Sequence, residues 1–313
     1  MTPLVQVAAT PDANRRGMFA MLGAMAFFVT NDTLVKVVAK DLPSGQLIAI
    51  RGAFATTLVL CWLAASGQIR FVNRILSPLV LGRALSEGTV AFLFITALAQ
   101  MPIGEVTAIS LITPLVITAL SVPLLGEKVG WRRALAVVAG FVGMLFVVKP
   151  TGAGFNAGHA TILVLLSVVF CAFRDLITRF IDPTIPTLAI TLSTCLAVGL
   201  FGAAAVPLQG WIVPTWQHIG FLAAASVVLV IGNFCMIQAF RGVEVSLVSP
   251  FRYSVMIWAL LSGIVVFGEW PDWASWVGMA IIMAAGLYTL QREATRLSRP
   301  ISAAEATVRT PPS

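Results

Sequence analysis

The sequence is short of charge. Only 11% of its 313 residues are Asp, Glu, Lys or Arg, whereas a soluble globular domain carries about 25%. It has two histidines, at positions 159 and 218, and four cysteines that form no C-x-x-C pair. These shortages disfavour a soluble domain, a metal site and a disulfide framework.

Motifs of catalysis and of nucleotide binding are missing as well. The sequence contains no G-x-x-x-x-G-K-[ST] loop, no H-E-x-x-H and no G-x-S-x-G. A self-contained ATP-driven pump, a zinc protease and a serine hydrolase therefore have no support. We predict that the chain is not an enzyme and that it uses no cofactor and no metal.

Apolar residues dominate what is present. They make up 58% of the chain, whose mean hydropathy is +0.95. A membrane-spanning helix needs about 20 apolar residues, and the sequence offers ten such stretches. They lie at approximately 17–38, 45–66, 76–100, 104–124, 130–148, 158–180, 186–207, 216–239, 243–267 and 273–290. Because lipid cannot hydrogen-bond an open backbone, these stretches predict an all-α integral membrane protein with ten transmembrane helices.

The second five stretches repeat features of the first five. The repeated groups are Asp32 with Lys36, which recur 143 positions later as Asp175 with Arg179, and Gly126-Glu127, which recurs 142 positions later as Gly268-Glu269. A unit of five spans crosses the membrane an odd number of times, so its second copy must enter from the opposite face. The sequence therefore predicts a 5+5 inverted repeat, an arrangement found in many secondary transporters.

The positive charges predict the orientation of the spans. With alternating sides, fourteen Lys and Arg residues fall on one face and three on the other. This bias places both termini in the cytoplasm, and it accounts for the net charge of +7 without a nucleic-acid partner. The predicted organisation is a cytoplasmic tail at 1–16, a first repeat at 17–148, a linker at 149–157, a second repeat at 158–290 and a disordered cytoplasmic tail at 291–313.

Ionisable residues inside the spans are costly, at roughly 2.5–3.5 kcal/mol each at the centre of the bilayer. Arg83 and Glu87 are four positions apart and can pair on one helical face, either to fix packing or to line a cavity. Arg252 lacks an acidic neighbour on its own helix, and Glu87 is its natural partner. The residues predicted to line a substrate cavity are Arg83, Glu87, Asn233, Arg252, Tyr253 and Trp258.

A second polar set lies nearer the span ends. Asp32 with Lys36, and Asp175 with Arg179, are acid–base pairs four positions apart. They are either ion pairs at the membrane faces or, because of their symmetry, an outer and an inner gate. The predicted gate residues are Asn31, Asp32, Lys36, Arg174, Asp175 and Arg179.

Prolines are predicted to break two of the spans. Pro114 and Pro123 lie in the fourth span and Pro250 lies in the ninth. A proline inside a helix removes a hydrogen bond and frees a carbonyl. Such carbonyls can line a cavity.

The same residues carry a family resemblance. The segment from Pro114 to Gly126-Glu127 is followed by a helix with Gly140 and Gly143, and the second half has Ser249-Pro250-Phe251-Arg252-Tyr253 followed by Phe267-Gly268-Glu269. With Arg51 early in the second span, this pattern resembles the ten-helix EamA-type branch of the drug/metabolite transporter superfamily. It is also similar to the group that contains riboflavin and S-adenosylmethionine importers. The resemblance implies a 5+5 inverted repeat, a central cavity and alternating access.

We therefore expect a secondary transporter in a bacterial cytoplasmic (inner) membrane, as a monomer or a homodimer. Its substrate would be a small polar organic metabolite: a vitamin such as riboflavin, an amino acid or a nucleoside-like compound. Protons are the candidate coupling ion, through Glu87. Two other functions stay open: a flippase for a lipid-linked substrate and a membrane scaffold subunit with no pathway.

Overall fold

In a computed structural model of the chain, every element that is described is helical. The structure describes residues 11–125, 131–148, 155–178, 180–182, 184–240 and 248–297. Within these residues, seven helices are long and apolar enough to cross a membrane, by length and composition, and shorter apolar helices cover 103–117, 134–148 and 273–289. The chain is therefore a helical, multi-pass integral membrane protein.

In the first half of the chain, the described residues form six α-helices. They are α1 (Pro11–Val38), α2 (Ser44–Ala65), α3 (Pro78–Leu98), α4 (Ile103–Ser110), α5 (Thr113–Leu125) and α6 (Trp131–Val148). A 3₁₀ helix, Ile69–Leu76, joins α2 to α3. Helices α4 and α5 together occupy the predicted fourth span, so this span is interrupted.

In the second half, the residues that the structure describes form five α-helices. They are α7 (Phe155–Thr178), α8 (Thr187–Gln209), α9 (Trp216–Phe240), α10 (Ser254–Ser262) and α11 (Trp273–Leu297). A 3₁₀ segment, Ser249–Tyr253, precedes α10 and a π-helical turn, Gly263–Phe267, follows it. Residues 249–267 of the predicted ninth span are thus built from three kinds of helix, and residues 243–247 of that span lie outside the described residues.

Three helices extend into segments that were predicted to be a tail or the linker. Helix α1 begins at Pro11, inside the predicted N-terminal tail, and α7 begins at Phe155, inside the predicted linker. Helix α11 continues to Leu297, inside the predicted C-terminal tail. Hydropathy locates the apolar part of a helix, whereas helical hydrogen bonding continues into polar residues on either side.

The outer surface of the bundle is apolar. Large side chains such as Leu200 and Val265 are 67% and 72% exposed. Exposed tryptophans, including Trp131, Trp216 and Trp273, lie at helix ends. An apolar belt with tryptophan at its borders is typical of a protein surrounded by lipid.

Helices of the first half pack mainly against helices of the second half. Helix α1 packs on α9, α3 on α7, α2 on α8, and α6 on α11. The repeat offset relates α1 to α7 and α3 to α9, so the first two contacts are equivalent. The other two contacts each join a helix to its own counterpart in the repeat.

These counterpart pairs are antiparallel. Gly45 of α2 lies against Gly202 of α8, and Gly52 of α2 lies against Gly199, so residue numbers rise along one helix as they fall along the other. Helices α6 and α11 pack in the same antiparallel way. The approach is close because both surfaces lack side chains: a Cβ atom at Gly52 would lie 2.4 Å from the Cα of Gly199.

Candidate functional site

A cavity of about 410 Å³ lies between the two halves of the chain. It is lined by α1, α3, α4, α5, α7, α9 and the segment 252–255. Its volume is in the range of pockets that hold small molecules. Its charged lining residues are Asp32, Arg174, Asp175 and Arg252, its hydroxyl-bearing ones include Thr107, Ser110, Thr113 and Ser167, and its aromatic ones are Phe28, Phe94 and Tyr253.

Two helix interruptions border this cavity. As predicted, the fourth span breaks just before Pro114, because the proline ring is incompatible with a continuing α-helix. The ninth span changes from 3₁₀ to α geometry between Tyr253 and Ser254. The first break lies at Leu111 and Ile112, and adding the repeat offset of 142 gives 253 and 254. The two halves therefore interrupt equivalent helices at equivalent positions. Pro123 lies within α5, which continues to Leu125.

One face of α1 lines the cavity. Met25, Phe28 and Asp32 all face it, and their spacing of three and four places them on one side of the helix. The carboxylate of Asp32 accepts a hydrogen bond from the amide of Asn31, at 2.9 Å. Buried Arg51 donates to the carbonyl oxygen of the same amide, at 3.3 Å. Asn31 thus links Arg51 to Asp32.

A second cluster joins α3 to α7. Arg174 donates from Nη1 to Oε2 of Glu87, at 2.5 Å, and from Nη2 and Nε to Oδ1 of Asp175, at 2.7 and 2.9 Å. Its Nη2 also lies 3.1 Å from the sulfur of Cys171. Three of these residues, Arg174, Asp175 and Cys171, line the cavity. The guanidinium of Arg174 is therefore held in place by two carboxylates.

The predicted pairing of Glu87 is wrong in this structure. Glu87 pairs with Arg174, whereas Arg83 donates to the hydroxyls of Thr178 and Thr194, at 3.1 and 2.6 Å. Arg252 does not pair with Glu87 either. The i, i+4 spacing only makes a pair within α3 possible. Which partner wins is decided by the packing of α3 against α7, and sequence spacing carries no information about that packing.

Lys36 closes one end of the bundle. Its ammonium lies 2.5 Å from Oε1 of Glu269 and donates to the backbone carbonyl of Met101, at 2.7 Å. The other carboxylate oxygen of Glu269 accepts from the backbone N–H of Ile103, at 2.9 Å. The ring of Phe267 lies 4.9 Å from the ammonium. This arrangement, called here the Lys36–Glu269 closure, connects α1, the α3–α4 turn and the end of the ninth span.

The predicted pairing of Lys36 with Asp32 is wrong, because Lys36 pairs with Glu269 instead. Glu269 reaches Lys36 because the chain turns sharply at Gly268, whose φ of 66° is in the left-handed region that favours glycine. One turn deeper, the hydroxyls of Thr33 and Ser262 lie 2.5 Å apart. One feature of the sequence could have pointed to Glu269 as a site residue: it belongs to the Gly-Glu pair that is repeated in the two halves.

The remaining predicted residues are dispersed. Arg252 is exposed, faces the cavity and has no hydrogen-bond or ion-pair partner among the described residues. The buried hydroxyl of Tyr253 and the buried indole nitrogen of Trp258 also lack a hydrogen-bond partner in the described part of the chain. Asn233 is exposed, donates to the carbonyl of Leu229 on its own helix, and does not line the cavity. Arg179 lies outside the described residues.

The chemistry available to this cavity is that of binding. It offers a carboxylate at Asp32, guanidinium donors at Arg252, several hydroxyls and an apolar wall. A pocket with an apolar lining and a few convergent polar groups is typical of small-molecule sites.

Comparisons with known proteins agree with this arrangement. The model of the EamA-like transporter family matches residues 15–149 and again residues 159–290. An S-adenosylmethionine uptake transporter of Rickettsia bellii is 25% identical over 276 residues, covering 87% of this chain and 92% of that protein. A riboflavin transporter of Vibrio cholerae is 26% identical, covering 90% and 94%. The pseudopaline exporter CntI of Pseudomonas aeruginosa is 25% identical, covering 86% and 93%.

A solved crystal structure shares the fold. It covers 90% of this chain and 99% of its own chain with a TM-score of 0.61, at 18% sequence identity. The family model covers most of the chain in two consecutive matches, and the curated relatives align with it over nearly their whole length. The chain is a member of the EamA-like transporter family, within the drug/metabolite transporter superfamily, and is a membrane transporter and not an enzyme.

Proposed function

We propose that this chain is a secondary transporter that moves a small polar organic metabolite across a bacterial inner membrane by alternating access. The observation that carries the proposal is the cavity of about 410 Å³, which is lined from both halves and bears charged side chains. Charges at this depth are costly unless they are used.

The packing of the halves supports an inverted repeat. Corresponding helices, α2 with α8 and α6 with α11, are antiparallel. Two inverted copies around a shared cavity give two equivalent end states, because each copy can adopt the conformation of the other. Rocking of the halves would then expose the cavity to each side in turn.

The Lys36–Glu269 closure is proposed as the outer gate. It joins α1 of the first half to the end of the ninth span in the second half. In the predicted orientation, with both termini in the cytoplasm, it lies at the outer end of the bundle. Glu269 would thus take the gate role first predicted for Asp32, which lines the cavity instead.

Transport in reconstituted vesicles tests the proposal. Purified protein in proteoliposomes would be assayed for uptake and efflux of labelled flavins, amino acids and nucleosides, with and without a proton gradient. The substitution Arg252→Gln should lower transport of the accepted compound at least about tenfold, since it removes charge-assisted hydrogen bonds. Arg74→Gln is the matched control, because Arg74 is exposed outside the cavity. Absence of flux for every compound would contradict the proposal.

Proton coupling through Glu87 stays a prediction with a direct test. Glu87 is engaged by Arg174, whereas the carboxylate of Asp32 accepts a hydrogen bond only from the neutral amide of Asn31 in the described part of the chain. Transport as a function of pH should be compared for Glu87→Gln and Asp32→Asn. If Glu87→Gln leaves the pH profile unchanged, Glu87 is not the coupling group.

The alternative functions make different predictions. A flippase should accelerate the movement of a short-chain fluorescent phospholipid in the same vesicles, whereas a metabolite transporter should not. A scaffold subunit should pair Arg83, Glu87 and Arg252 in a dry core. Arg252 instead faces the cavity without a partner in the described part of the chain, which favours a transport function.

A further inference from the structure

Two side chains of opposite charge on the cavity wall have polar atoms left for a ligand. Arg174 and Asp175 are ion-paired, and Arg174 also pairs with Glu87. Arg252, by contrast, has none of its guanidinium donors occupied by a described residue, and Asp32 accepts one hydrogen bond, from the neutral amide of Asn31. Arg252 and Asp32 are therefore the charged lining residues that make no direct ion pair with a described residue.

These two groups stand at different depths. Helix α1 and the ninth span run side by side in the same direction, since Thr33 meets Ser262 and Lys36 meets Glu269. Asp32 is one residue below Thr33, and Arg252 is ten residues below Ser262. With rises of about 1.5 Å per α-helical residue and about 2 Å per 3₁₀ residue, the Cα of Arg252 lies about 14 Å along the bundle from that of Asp32.

The side chain of Arg252 can shorten this separation. An arginine side chain extends several ångströms from its Cα, so a guanidinium turned towards Asp32 would lie about 10 Å from its carboxylate, as an order of magnitude. The two charges of an α-amino acid head are adjacent on one carbon and cannot reach both groups together. A ligand that engages Asp32 and Arg252 at once must carry its charges at opposite ends.

The wall between the two groups is apolar. Met25 and Phe28 extend along the same face of α1 as Asp32, towards the depth of Arg252, and Phe94 of α3 also lines the cavity. This stretch suits the body of an elongated ligand, because apolar surface would be removed from water there.

The ion pairs leave one charged side chain without a direct partner at each depth. Around Arg252 the cavity wall and its ion pairs carry Arg174 and Arg252 against Glu87 and Asp175, and both carboxylates are engaged by Arg174. Arg252 is thus the cation at this end that makes no direct ion pair with a described residue, which favours an anionic group. Asp32 is the acidic group at the other end, where buried Arg51 reaches it only through Asn31.

We propose that the ligand of this cavity is an elongated zwitterion, with an anionic group bound at Arg252 and a cationic, hydrogen-bond-donating group bound at Asp32, about 10 Å apart. The inference rests on the proposed function, whose substrate class it narrows. Neutral heterocycles and compact α-amino acids would engage one end only.

A pair of isomers tests the charge separation. In extended 8-aminooctanoate the two charges are about 10 Å apart, whereas in 2-aminooctanoate the same atoms place them on one carbon. Octanoate and octylamine each lack one charge. Binding is read from protection of Cys171, which lines the cavity, against a hydrophilic maleimide, in a chain whose Cys61, Cys195 and Cys235 are replaced by serine.

The expected order is specific. 8-Aminooctanoate should protect Cys171 at a concentration about tenfold lower than any of the other three compounds, because it alone forms both charged contacts. Arg252→Gln should remove its advantage over octylamine, and Asp32→Asn should remove its advantage over octanoate. Asp182→Asn, a change at an exposed residue outside the cavity, should leave the order intact.

Other results overturn the inference. If 2-aminooctanoate protects Cys171 equally well or better, the ligand is a compact α-amino acid. If all four compounds protect Cys171 equally, the cavity binds them through apolar contacts alone. Thermal stabilisation of the unmodified chain by the same four compounds gives a second readout, should the cysteine variant fail to fold. If the isomers are indistinguishable while a metabolite of the transport panel still moves, the substrate class is wrong and the proposed transport function stands.

Discussion

The Lys36–Glu269 closure gives the sharpest prediction, because its two partners are buried to different extents. The side chain of Lys36 is 6% exposed and that of Glu269 is 23% exposed. Replacing Glu269 by glutamine leaves a buried ammonium without its carboxylate partner, in contact with the carbonyl of Met101, a neutral amide and the ring of Phe267. Replacing Lys36 by glutamine leaves a carboxylate that is partly exposed and still bonded to Ile103 N–H. The first change should therefore cost more than the second.

The magnitude follows from this geometry. Removing one partner of a fully buried ion pair costs about 3–5 kcal/mol, and the glutamine amide retains part of the hydrogen bonding. We expect Glu269→Gln to destabilise the closed end by about 2 kcal/mol, which corresponds to a roughly thirtyfold larger open fraction. Lys36→Gln should cost about 1 kcal/mol, and the double variant should cost less than the sum because the two residues share one contact.

Cysteine accessibility measures the opening. Cys171 lines the cavity. In the proposed orientation, a membrane-impermeant thiol reagent added outside intact cells would reach it only when the Lys36–Glu269 closure opens. The labelling rate should rise about thirtyfold in Glu269→Gln, in line with the free energy above. Asp41→Asn is the control at the same end, since the side chain of Asp41 is 63% exposed and pairs with His218 at 3.2 Å, so its loss should change the rate less than about twofold.

Two results would refute the gate. If single variants leave the labelling rate unchanged, the closure does not limit access to the cavity. If the effects of the two single variants simply add in the double variant, Lys36 and Glu269 do not act as a pair.

Two further predictions concern close packing. Gly52→Ala should destabilise the protein by about 1–3 kcal/mol in thermal unfolding, because its Cβ would lie 2.4 Å from the backbone of Gly199. Gly199→Ala should destabilise it clearly less, because its Cβ would meet the backbone of Gly52 at an ordinary 3.5 Å. Equal losses of stability would contradict this account of the α2–α8 crossing. Gly286→Ala should lower transport with a smaller loss of stability, because its Cβ would fall 1.8 Å from the hydroxyl of Tyr253 and displace that ring from the cavity wall. Gly220→Ala, where nothing lies within 4 Å, should transport normally, and a Tyr253→Phe background should relieve part of the Gly286→Ala defect in the same flux assay.

Several members of the site were recognisable from the sequence. Five residues stood out because a polar or aromatic group inside an apolar span is unusual. Arg252 and Tyr253 were predicted at the cavity and Asp32, Arg174 and Asp175 at the gates, and all five line the cavity. Their use by a substrate stays a prediction.

Partners across helices could not be read in this way. Spacing suggested Arg83 for Glu87 and Asp32 for Lys36, yet Glu87 meets Arg174 and Lys36 meets Glu269. In each case the observed partners are far apart in the chain, at separations of 87 and 233 residues. Asn233 shows that the rotation of a helix could not be read from the sequence either. It was predicted at the cavity, but α9 is rotated so that Asn233 is exposed and donates to the carbonyl of Leu229 on its own helix.

The sequence by itself determined that this protein lies in a membrane, that it is helical, and that its two halves are related. These properties depend on composition, on run length and on a repeat offset, all of which are local or countable along the chain. Only the tertiary structure decided which charges pair, which face the cavity, and where the bundle closes. Those outcomes depend on how the helices are rotated and aligned against one another. Side-chain packing between segments that are distant in the sequence fixes this rotation and register, as at the glycine crossing of α2 and α8.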